Sequence, residues 1–157
     1  ASFLSEPVRV ASPAAVMIVP PPRAGLESRY AGYTGAGYLP LGTARHTTVT
    51  IPVRIARAGV YAIDVRYANG SGPVNSGDRA AVRTLLVNGK RAGAMVMPQR
   101  GNELWTDWGY GSPVHVRLAA GAHTLTIAYT ALDRNMNGAV NAALLDHVRL
   151  TRLAEGP

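Results

Sequence analysis

Four features of this sequence carry side chains that could do chemistry: a tryptophan pair, a ring-rich glycine loop, a carboxylate inside an apolar run, and an alternating row of oxygen side chains. The pair, Trp105 and Trp108, stands in the segment 102–109, dense in polar residues and glycine. Flat ring faces match the C–H side of a pyranose, while amides and carboxylates serve its hydroxyls. Core packing is the competing reading, and for Trp108, beside a strand-like run, it is the better one. Tyr30, Tyr33 and Tyr38 interleave with Gly32, Gly35 and Gly37. No phosphate-binding Lys and no helical pattern follow, which argues against a nucleotide cradle. Tyr30, Tyr33 and Tyr110 could each stack on a ligand or pack.

The carboxylate is Asp146. Alternation through 143–151 places it on one face with Leu144, Val148 and Leu150. A carboxylate there requires a counter-charge or several donors, because burying it alone is prohibitive. Fifteen arginines make the counter-charge easy to supply. The row of oxygens is Asp133-Arg134-Asn135-Met136-Asn137-Gly138, the first half of a helix–loop–helix calcium loop. Leu144 stands where that loop needs its bidentate glutamate, and no helices flank it. What remains is a partial oxygen cage from Asp133, Asn135 and Asn137, or an Asn-rich turn, of which the turn is the better reading.

Other chemistries find little support. Zero cysteines remove disulfides, thiolate metal sites and cysteine nucleophiles. His46, His115, His123 and His147 show no metal-ligand spacing and read as surface residues. Ser112 lacks the elbow pattern of a nucleophilic serine. Glycoside hydrolysis needs two facing carboxylates, and nothing singles out Glu103 or Asp107 near the tryptophans. The sequence predicts no catalytic residue. The longest apolar stretch, 14–19, is far short of the roughly 20 residues a membrane span needs. The net charge of +7 favours acidic partners. Fifteen of the sixteen cations are arginines spread singly, however, a pattern of solvated surface rather than of a nucleic-acid face.

The elements that must position these residues are strands. Val49, Ile51, Val53 and Ile55 alternate with Thr48, Thr50 and Arg54, and Tyr61, Ile63, Val65 and Tyr67 with Ala62, Asp64 and Arg66. The same period of two runs through 114–118 and 124–129, and less cleanly through 80–87 and 143–151. Ala58-Gly59, Asn69-Gly70, Asn88-Gly89 and Ala120-Gly121 supply turns. About eight strands, each with one apolar face, predict an all-β, two-sheet antiparallel sandwich. Residues 1–25, broken by Pro7, Pro13 and Pro20-Pro21-Pro22, read as a linker or edge strand ahead of a sandwich over 26–157. A chain of 157 residues that starts with Ala rather than Met is expected to be processed or excised from something longer.

The order of these motifs resembles the carbohydrate-binding modules of families 6 and 35. The matching residues are Gly32-Tyr33-Thr34-Gly35-Ala36-Gly37-Tyr38, Ala58-Gly59-Val60-Tyr61, Val65-Arg66-Tyr67-Ala68-Asn69-Gly70, Leu86-Val87-Asn88-Gly89, Trp105-Thr106-Asp107-Trp108, the run 116–125, and Leu145-Asp146-His147-Val148-Arg149-Leu150. Together they span roughly 26–153. The resemblance implies a calcium-containing jelly roll of galactose-binding-like form, secreted or periplasmic, attached to a glycoside hydrolase or related enzyme. Its ligand would be a polysaccharide or oligosaccharide, with an anionic glycan favoured by the charge. Carried over, Trp105 would stack on the sugar with Tyr38 as opposing platform, and Asn141 would bind hydroxyls, with Trp108 and Asn69 as further candidates. A structural calcium would be held by Glu27 and Asp146. Two departures stand out. The family opens with two glutamates one residue apart, whereas here Gly25 stands where the partner of Glu27 would be. The loops 71–79 and 133–141 also run longer than typical. Two other readings compete: a sandwich that packs on a neighbouring enzyme domain without binding sugar, and a basic nucleic-acid-binding sandwich.

Overall fold

The computed structural model describes residues 15–72, 79–134 and 141–154. Ten strands run in chain order: β1 (Val16–Val19), β2 (Leu39–Leu41), β3 (Thr48–Ile55), β4 (Gly59–Ala68), β5 (Ala81–Val87), β6 (Lys90–Met97), β7 (Gly109–Tyr110), β8 (Val114–Leu118), β9 (Gly121–Ala128) and β10 (Ala143–Ala154). They form two antiparallel sheets, the expected sandwich. The first has the order β1-β10-β4-β7, with β2 also beside β10 and β8 beside β4; the second has the order β3-β9-β5-β6.

Alternation drives the assembly. Every second residue of β3 is buried, beginning at Val49, and the intervening threonines, Pro52 and Arg54 face water. These side chains meet Tyr61, Ile63, Val65 and Tyr67 of β4, Leu85 of β5, Leu125 and Ile127 of β9, and Leu145, Val148 and Leu150 of β10 in one core between the sheets. Period-two patterning buries one face per strand, and two such faces close on each other.

Three strands escape the pattern. In β6, Lys-Arg-Ala-Gly-Ala offers neither β-branched residues nor alternation; it pairs with β5 because Asn88 and Gly89 both take positive φ, 52° and 83°, and turn the chain back tightly. β2 and β7 are only three and two residues long. Of the Pro-rich segment, residues 16–19 form an edge strand, β1, which pairs with β10 from Val16↔Thr151 to Val19↔Val148.

β10 departs most from its expected pattern. Its register against β4 runs from Leu145↔Tyr67 directly to His147↔Arg66, leaving Asp146 as the extra residue of a β-bulge. The bulge breaks the alternation. Leu145, Val148 and Leu150 point into the core, whereas Leu144 joins a second cluster outside it with Tyr38 and Ala68. Asp146 therefore does not share a face with Val148 and Leu150.

Candidate functional site

Where β4 ends and β10 begins, the loop ahead of β2 and the loop ahead of β7 converge around Tyr38, Ala68 and Leu144, with Tyr30, Tyr33, Trp105 and Trp108 packed against them. Tyr38 is the hub. Its backbone exchanges hydrogen bonds of 2.8 and 2.9 Å with Glu27, and its hydroxyl accepts from the Tyr30 amide at 3.2 Å. The Tyr33 ring meets it edge-on with centroids 5.8 Å apart, and the Trp108 ring is tilted against it at 5.5 Å. Tyr30 stacks with Trp105, centroids 6.3 Å apart and planes at 29°. Such ring pairs add to the apolar burial that fixes them.

The loop carrying the tryptophans is fastened from below. Asn69, just past β4, donates through Nδ2 to the carbonyls of Arg79 (2.8 Å) and Met97 (3.0 Å) and accepts the Ser71 amide at Oδ1. Its own carbonyl accepts the Arg100 amide at 2.7 Å. The Arg100 guanidinium reaches the Asp107 carbonyl and carboxylate. Trp108 donates from Nε1 to the Ala31 carbonyl at 2.8 Å, which joins the two loops. Gly32, at φ +104°, lies against that indole so closely that a Cβ would stand 2.7 Å from Trp108 Cδ1.

The other loop is held by Asp146. Its Oδ1 accepts the Thr34 amide (2.8 Å), and its Oδ2 accepts the Thr34 hydroxyl (2.9 Å) and Arg66 (2.8 Å). Thr34 has a single hydroxyl proton, so His147 Nδ1, 2.9 Å from that oxygen and 3.2 Å from Asp146 Oδ2, is the donor in its contacts. His147 Nε2 then accepts from the Tyr110 hydroxyl at 2.7 Å. Burial pushes the Asp146 carboxyl up, but bonds from His147, Arg66 and Thr34 outweigh it and hold the group below its usual range. Arg149 lies over the Tyr110 ring, 3.5 Å from its centroid, and pairs with Asp64 at 2.6 Å.

The geometry redistributes the expected roles. Trp105, Trp108 and Tyr38 do come together. Tyr38, at 0 % exposure, has no face to offer a ligand, so the expected platform is an interior ring; Tyr30 and Trp105 are the half-buried rings stacked outside it. Asn69 and Asn141, both at 0 % exposure, are structural ties rather than sugar contacts. Asn141 Oδ1 accepts from the Val82 amide and Arg83, and its Nδ2 donates to the Asp133 carbonyl. His147 is not a surface residue but is buried. Asp133 is buried too, accepting from Thr84, Thr130 and the Thr130 amide. Asn135, Asn137 and most of the two long loops lie outside the described residues. Arg66 and Thr34 were missed: neither type signals a site by itself, and only the bulge brings Asp146 to them.

The carboxylates do not fit the expected calcium ion. Asp146 faces Arg66, and Glu27 pairs with Arg45 at 2.7 Å. Among the described residues, no group of three or more His, Asp or Glu side chains could hold a metal.

No protein-family model matches the chain. Over 127 residues, 81 % of its length, it is 31 % identical to a cycloisomaltooligosaccharide glucanotransferase of Niallia circulans, and the match spans 12 % of that enzyme. Among solved structures, a family 35 carbohydrate-binding module from an environmental isolate superposes with a TM-score of 0.63 at 25 % identity, covering 90 % of this chain and 99 % of that one. A Paenibacillus cycloisomaltooligosaccharide glucanotransferase, solved with cycloisomaltoheptaose, superposes with a TM-score of 0.64 at 25 % identity, covering 88 % of this chain and 17 % of that one. The fold is thus that of carbohydrate-binding modules. The solved modules it superposes on are of family 35, one of the two families its motifs resemble, and its relatives in sequence are carbohydrate-active enzymes of which it spans about an eighth.

Proposed function

We propose that the protein is a non-catalytic module that holds a saccharide against the Trp105–Tyr30 face and so concentrates an attached carbohydrate-active enzyme on its glycan. The observation that supports this reading is the layered cluster. A buried tyrosine pinned to the sheet carries half-exposed rings above it, so ring orientation is set before any ligand arrives, and little ordering cost remains. The glucan chemistry of the relatives makes an isomalto-oligosaccharide the first ligand to test. Calorimetric titration should show binding that Trp105→Ala weakens roughly tenfold or more with melting unchanged. Equal binding by the variant would move the site elsewhere.

The expected preference for an anionic glycan draws support from charge placement at the other end of the sandwich. There the ends of β3, β6 and β8 carry Arg54, Lys90, Arg91 and Arg117, the turn after β3 carries Arg57, and β10 adds Arg152. None of the described acids lies at that end. An open pocket of ≈ 380 Å³ beside Arg54, Asn88 and His123 belongs to it. Binding of polygalacturonate that weakens steeply with salt, and vanishes when Arg54, Lys90 and Arg91 become glutamine, would agree. Salt-independent binding would not.

One observation favours packing on a neighbouring domain as a second role. Val16 and Ile18 of the edge strand and Leu153 at the end of β10 are apolar yet exposed, Ile18 by 48 %. Tyr38, buried at the far site, takes no part in such a contact.

A further inference from the structure

We infer that the place a calcium ion would take beneath the loop 32–38 is filled by the protein's own cationic and imidazole side chains, so that the loop is organised without a metal. Three independent features converge on this. First, both oxygens of Asp146 are engaged: the Thr34 amide donates to Oδ1, the Thr34 hydroxyl and Arg66 donate to Oδ2, and His147 stands 3.2 Å from Oδ2. The same Arg66 Nη1 that reaches Asp146 also donates to the Gly32 carbonyl at 2.9 Å, and the guanidinium lies 5.6 Å from the centre of the Trp108 ring. One guanidinium thus bridges carboxylate and loop carbonyl, the two oxygen types that a calcium ion would bridge.

Second, the position lacking its carboxylate has no room for one. Gly25 takes φ +86°, and a Cβ there would stand 2.5 Å from His46 Nε2. The His46 ring is itself anchored through Nδ1 to the Pro40 carbonyl at 2.6 Å. An imidazole thus stands where a side chain at Gly25 would begin. Third, Glu27 is already paired with Arg45. A divalent ion entering beside Asp146 would meet a guanidinium at contact distance, and like charges so close disfavour binding.

The balance of charge agrees with this. One carboxylate, Asp146, faces one guanidinium, Arg66, inside a polar pocket whose remaining bonds come from Thr34 and His147. Such a pair is complete: it needs no further cation, and it is strongly destabilised by the loss of either partner.

The test uses the purified protein and needs no sugar, so its failure is separate from failure of the saccharide reading. Thermal unfolding is followed by tryptophan fluorescence in excess EDTA and in millimolar calcium. The expected result is the same midpoint in both. A site occupied at a thousandth of the calcium present would raise the midpoint by roughly 10 °C, and such a rise overturns the inference. Arg66→Met should lower the midpoint by roughly 5–10 °C, with Arg66→Lys recovering part of the loss. An Arg66→Met protein that melts like the wild type also overturns it. Should Arg66→Met fail to fold, the calcium and EDTA midpoints of the wild type still decide the matter.

Discussion

The core between the sheets and the aromatic cluster outside them are both apolar, yet they are built differently. The core is made by strands alone: alternate residues of β3, β4, β9 and β10 meet face to face, and the main chain is satisfied by the ladders. The cluster is made by loops, and loops have no ladder. The loops are held through polar devices, such as the Tyr38 hydroxyl under the Tyr30 amide, the Trp108 indole on the Ala31 carbonyl, and Asp146 under Thr34. The first construction supplies stability. The second supplies shape at a place that strands cannot reach, and it depends on buried charge.

If the two constructions are separable, mutations should separate them. Leu125→Ala, at the centre of the core, should have the largest effect on stability, a loss of about 4 kcal/mol in urea unfolding, while saccharide affinity per folded molecule stays the same. A parallel loss of affinity would show that the regions are one unit. Asp146→Asn should cost about 3 kcal/mol, because Arg66 keeps its burial and loses its counter-charge; here affinity should fall as well.

The same carboxyl sharpens the contrast through pH. Its ionisation in the folded protein lies below that of the unfolded chain, so its contribution is present above the unfolded value of about 4 and fades as pH falls through the lower folded value. Acid unfolding of the wild type should steepen in that window, and Asp146→Asn should lose this component of the slope. Gly32→Ala should cost about 2 kcal/mol, from a strained left-handed backbone and a collision with Trp108. Trp105→Ala should change stability least, by about 1 kcal/mol or less, while changing saccharide affinity most.

The same contrast explains what could be read from the amino acids. Strands β3, β4, β8 and β9 are legible because burial of one face forces a period of two. The hairpin strand β6 is not, since its pairing comes from the Asn88-Gly89 turn and its own residues are small. The tryptophans were legible as a candidate because two large rings in a polar loop are conspicuous. Tyr38 was misplaced for the same reason: it sits among glycines that look exposed, and only the tertiary structure reveals the Tyr30, Tyr33 and Trp108 rings closing over it. Asp146 was recognised as needing a partner, but the choice of Arg66 depended on a single extra residue in β10 that no alternation rule foresees. Asn141 shows the converse, a polar residue in a loop whose every side-chain bond turns inward.

The last strand, β10, lies between β4 and the pair β1 and β2 and also carries Asp146 and His147. During synthesis the strands it joins would wait side by side without a common neighbour until it leaves the ribosome. Completion of the sheet and tethering of the glycine loop are then a single late event. A nascent chain lacking those residues would leave the glycine loop without its tether to Asp146.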